Sequence, residues 1–127
     1  MSLETRLSAL ISAIGADIKL AKTLVSSVAS SATPTPVGSS CHNQFNVTAL
    51  AAAATFAAPS GTPVDGNSLI IRIKDNGTAR ALTWNAIYRA IGVSLPTTTV
   101  ISKTMYIAAR YNAADSKWDV IAVGREA

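Results

Sequence analysis

Apolar residues fall into two distinct rhythms along the chain. In the first thirty residues, Leu7, Ile11, Ile14, Ile18, Ala21, Val25 and Val28 alternate four and three apart without a break. That spacing places one face of a helix in a continuous stripe, with Ile11, Ile18 and Val25 at heptad position a and Leu7, Ile14, Ala21 and Val28 at d. Leu3, Leu10 and Leu24 form a second row at g, broken by Asp17. The pattern predicts a helix from about Ser2 to Ser30, with Ser2 as N-cap and Glu4 and Thr5 in the first turn. Isoleucine at both a and d favours three or four strands over two. Gly15 weakens an isolated helix by roughly 1 kcal/mol, so such a segment needs a partner to stand.

Beyond the helix the rhythm changes. Residues 31–43 are dense in Ser, Thr, Pro and Gly, and Pro34 and Pro36 push their neighbours toward extended backbone. This stretch reads as a linker between an oligomerising stem, 1–30, and a head, 44–127. In the head the period becomes two. Leu69, Ile71 and Ile73 share one face of a strand over Ser68–Lys74, with Arg72 and Lys74 on the other. Asp75-Asn76-Gly77 predicts a hairpin returning through Thr78–Trp84. Asn85–Ala90 reads as a helical turn, and Lys103–Tyr111 and Trp118–Val123 as a second hairpin. The expected fold class is α+β: a trimeric, coiled-coil-like helix followed by a small, mostly antiparallel β-sandwich or barrel-like head.

Composition supports assembly more than chemistry. Charged residues make up only 14% of the chain against 49% hydrophobic, where soluble domains carry roughly 25% charged. The net charge is +4 and no two cations are adjacent, so nucleic-acid binding is not expected. Charges at Asp17, Lys19 and Lys22 argue against a membrane span, and Glu4 against a signal peptide. The single cysteine, Cys41, permits no internal disulfide.

Catalytic groups are sparse. The only histidine, His42, lies beside Cys41 in the expected linker, short of a metal's ligand set and with no Ser or Thr assigned to it as a partner. The seven carboxylates form no evident pair, and Asp119 is expected to meet Lys117 and Arg110 at the surface. No enzyme, cofactor or metal is expected. Trp84, Tyr106, Tyr111 and Trp118 are the candidates for stacking on a glycan, against the simpler expectation that the tryptophans fill the core.

The opening SLETRLSALISAIGADIK resembles the N-terminal helix of many tailed-bacteriophage fibre and virion proteins. Residues 61–127 resemble a small β domain that recurs at the C-terminus of phage structural proteins, most specifically in LIIRIKDNGTARALTW and YNAADSKWDV. The resemblance implies a homotrimeric structural protein of the virion, made in the host bacterial cytoplasm: a head fibre, a capsid decoration protein or part of a tail fibre, contacting other capsid or tail proteins. The chain has no repeated shaft, which favours a short fibre. The alternative it leaves open is the glycan-binding or host-surface module of a tail fibre.

Overall fold

A computed structural model describes residues 2–127, apart from the side chains of residues 18–21. The protein is α+β, with one N-terminal helix and a small strand-rich domain. Helix α1 spans Leu3–Ala21. It starts as its sequence demands: the Thr5 N–H donates to Ser2 Oγ at 3.2 Å, and the Arg6 N–H to the Ser2 carbonyl at 3.1 Å.

The helix predicted to Ser30 ends nine residues sooner, because Thr23–Val28 forms strand β1. The segment TLVSSV is uncharged and half β-branched (Thr23, Val25 and Val28), and its backbone gains a complete ladder by pairing with β2 (His42–Leu50). Val25 and Val28 therefore do not continue the helical stripe. Val25 is exposed on the sheet, and Val28 packs against the core.

The remaining strands are β3 (Ala54–Phe56), β4 (Ser68–Asp75), β5 (Leu82–Trp84), β6 (Tyr88–Ala90), β7 (Thr104–Asn112) and β8 (Lys117–Arg125). Six build one sheet in the order β1-β2-β4-β7-β8-β6, and β3 pairs with β5 in a second. The expectation of mostly antiparallel pairing is corrected. The pairs β1–β2, β2–β4, β3–β5 and β6–β8 are parallel; only β4–β7 and β7–β8 are antiparallel.

The parallel pairs arise because the chain winds. Thr23, His42 and Ser68 are register neighbours across β1, β2 and β4. After each of these strands the chain crosses to the other side and runs extended again, through 32–38, then 54–60, then β5. These return passes also stack: Thr55, Ala57 and Ser60 donate their N–H groups to the carbonyls of Ala32, Pro34 and Pro36 at 2.8–2.9 Å. Residues 31–43 are thus no free spacer. The prolines keep the backbone extended, as predicted, but Pro34 and Pro36 are buried and their carbonyls accept ladder bonds. Proline has no N–H to donate, which suits it to these edge positions; the pass donates instead at Gly38, whose N–H reaches the Ser60 carbonyl at 2.9 Å.

The inward residues of the large sheet share one core with Ala54, Phe56 and Leu82 of the small one. Trp118 on β8 is 1% exposed. It fits only because residue 38 is glycine: a Cβ there would lie 2.8 Å from Trp118 Cζ2.

The Asp75-Asn76-Gly77 turn forms, with Gly77 at φ 97°, but not as a hairpin. β4 pairs with β2 and β7, while the chain after the turn departs to the second sheet. Buried Asp75 directs this, since its Oδ1 accepts N–H bonds from Gly77 at 2.8 Å and from Ser102 at 2.9 Å. Asn85–Ala90 is likewise a turn leading into β6 and not a helical one. The β7–β8 hairpin stands where the sequence places it.

Burial raises the Asp75 carboxyl, but the N–H groups of Ser102 and Gly77, with the Arg80 charge, together hold it below its ordinary 3.8. The unfolded chain then binds the proton more tightly than the folded one. The stabilisation is complete above pH 3.8 and is lost as pH falls through the lowered value. Asp75→Asn is expected to cost about 1–3 kcal/mol at neutral pH. It should also make the acid limb of a stability-against-pH curve shallower, leaving the parts due to Asp119 and Glu126, which are also lowered. Chemical denaturation across pH checks both effects.

Candidate functional site

The first candidate surface is α1. Every residue from Ser2 to Asp17 is exposed, apolar ones included. Ile11 is 61% and Ile14 48% exposed, and Leu3, Leu7 and Leu10 are also open. No strand packs extensively against the helix among the described residues. Ile18 belongs to the predicted stripe but lies outside the described side chains. The residues expected to oligomerise thus divide: Leu7, Ile11 and Ile14 share an exposed helix, whereas Val25 and Val28 belong to β1.

The aromatic candidates do not converge. Trp84 is half-buried, stacks on Phe56 with ring centroids 4.5 Å apart, and donates its Nε1–H to the Pro96 carbonyl at 2.8 Å. Trp118 is core, and Tyr111 tilts against it at 5.2 Å. Only Tyr106, 45% exposed on the outward face of β7, is free to meet a ligand with its ring. Its neighbours there are Arg72 and Lys74 of β4 and Thr104 of β7. The sequence names Tyr106 as one of four stacking candidates and puts the two cations on one face. What it did not supply was the register that sets Arg72 opposite Tyr106.

His42 is not a solvated linker residue. It begins β2, and its Nδ1 lies 3.0 Å from Ser68 Oγ because the parallel register puts His42 beside Ser68. A hydroxyl therefore does sit next to the histidine, contrary to the sequence reading. The pair is exposed, and the Ser68 hydroxyl also reaches the Cys41 carbonyl at 3.4 Å. This arrangement fastens neighbouring passes of the chain. Among the described residues, no three His, Cys, Asp or Glu side chains gather as a metal site, and no helix is long and apolar enough to cross a membrane.

Asp119 pairs with Arg89 and not with Lys117 or Arg110. Arg89 Nε and a terminal nitrogen donate to its two oxygens at 2.7 and 3.0 Å, and Arg89 also meets Asp115 at 2.9 Å. The guanidinium holds the Asp119 carboxyl below the usual range. The fork ties the three-residue strand β6 to β8, an architectural task. No family model and no curated protein matches the chain.

Proposed function

We propose that this is a non-enzymatic assembly protein in which α1 is the attachment element and the β domain the presented head. More specifically, we read it as a virion structural protein of a tailed phage, a short homotrimeric fibre or decoration protein held to the particle by its N-terminal helix. The observation that carries the reading is the helix whose apolar stripe, from Leu3 to Ile14, stands exposed along its length. A helix of 19 residues is marginal alone in water. Its partner must come from outside, either from other copies of the chain or from a socket on the particle. Isoleucines at both a and d support three copies. Ending at Ala21, the stem spans fewer heptads than the sequence predicts, so it favours a short docking bundle over a long coiled-coil shaft. The head, read as a small β-sandwich, carries its own core and needs no help from the helix to fold.

Light scattering tests this directly. The full chain is expected at three times its 13.1 kDa mass, and a variant beginning at Lys22 at the monomer mass with its β spectrum intact. A full-length monomer would overturn the trimer and leave docking to a particle groove as the sole role for α1.

A further inference from the structure

The outward face of the large sheet carries a shallow groove of about 250 Å³, lined by Val47, Thr48, Arg72, Lys74, Thr104 and Tyr106. Three features shape it. The antiparallel register of β4 and β7 sets Arg72 opposite Tyr106 and Lys74 opposite Thr104. Leu69, Ile71 and Ile73 take the inward positions of β4, so both cations must face out. On β2, the pairing with β4 slips between Val47 and Leu50, and the irregularity leaves Thr48 exposed beside the cations.

Neither cation in this groove is held in an ion pair, although the Glu126 charge partly offsets that of Lys74. Among the described residues the ion pairs involve Arg89 alone, and neither Arg72 nor Lys74 has a carboxylate at pairing distance. Glu126, whose charge Lys103 and Lys74 both feel, is engaged by the Thr104 N–H at 2.9 Å. The Thr104 hydroxyl is also engaged by Glu126 and keeps only its oxygen as an acceptor. The groove thus offers an arginine fork, an ammonium, the Thr48 hydroxyl, the Thr104 oxygen and the exposed ring of Tyr106.

We propose that this groove binds a carboxylate-bearing saccharide. Arg72 takes the carboxylate as a two-pronged partner, with Lys74 adding charge. Thr48 exchanges hydrogen bonds with sugar hydroxyls, the Thr104 oxygen accepts one, and the Tyr106 ring covers an apolar sugar face. A bare phosphate would use the cations and leave the ring and hydroxyls idle. An extended acidic peptide needs a sheet edge for its backbone, and β2, β4 and β7 are all interior strands. Two cations are too few to hold a nucleic-acid backbone at physiological salt. The proposal narrows the glycan-binding expectation to one aromatic residue and does not depend on oligomeric state.

Amide NMR titration of the full chain tests it with sialyllactose and trigalacturonate as acidic probes, and lactose and inorganic phosphate as controls. At least one acidic probe is expected to move the amides of Arg72, Lys74, Thr104 and Tyr106 saturably, with both controls binding at least about tenfold more weakly. Arg72→Gln and Tyr106→Ala, both surface changes, should each weaken binding by about tenfold, the worth of one charge-assisted hydrogen bond or ring contact. Equal binding of phosphate would reduce the groove to a simple anion contact and overturn the proposal. So would equal binding of lactose, or silence at these amides with both acidic probes. None of these results bears on the mass measurement that tests the stem.

Discussion

Replacing Ile11 and Ile14 together with aspartate is expected to dissolve the oligomer while leaving the β domain folded. Both side chains are exposed within the chain and contribute nothing to the head. Their substitution therefore removes no native packing from residues 23–127. In an assembled stem they would occupy adjacent a and d layers, and three copies of each would place six carboxylates around one axis. A buried unpaired charge costs several kcal/mol even after relaxation, more than a short bundle can offset. The doubly substituted chain should elute and scatter as a monomer, lose helical ellipticity, and keep the parent's head unfolding transition. An unchanged mass would show that this stripe is not the contact.

The second large effect lies inside the head. Trp118→Ala is expected to cost about 3–5 kcal/mol, a substantial share of what a domain this size possesses. The ring fills the space over Gly38, borders Tyr111, and joins β8 to the pass that contains Pro36. The converse change, Gly38→Ala, overfills the same site: a new methyl 2.8 Å from Trp118 Cζ2 forces the ring or the backbone to move, at about 1–3 kcal/mol. Urea denaturation of the two single variants and the double gives the coupling. Because the severest clash of the alanine methyl is with the ring, leaving only a 3.1 Å approach to Pro59 Cβ once the ring is gone, the double variant should cost less than the sum.

The sequence disclosed the local features well and the global ones poorly. Leu69, Ile71 and Ile73 announced an inward face because alternation is a property of the strand itself. The same holds for β7 and β8, joined by a short connection. Leu24, Val25 and Val28 misled because a heptad stripe and a strand face can both be drawn through so short a run. What decided between them was a ladder with β2, which local pattern cannot reveal. Pro34 and Pro36 signal extended backbone in the sequence but not their burial, which depends on the neighbouring pass at Ala57 and Ser60. The turn at Asn76-Gly77 was legible, but its outcome hung on Ser102, a residue far along the chain that shares Asp75 with Gly77. The stacking candidates narrowed to Tyr106 for a related reason: exposure is a property of the packed sheet.

Only Lys22 separates α1 from the Thr23–Val28 strand. Tension applied through the helix therefore enters the head at the first residue of β1. When the pull runs along that strand, its hydrogen bonds to β2 are loaded together in shear and do not open one after another like a zipper. Under a pull in that direction, an attachment made through this helix would meet the head at a point that resists being peeled away.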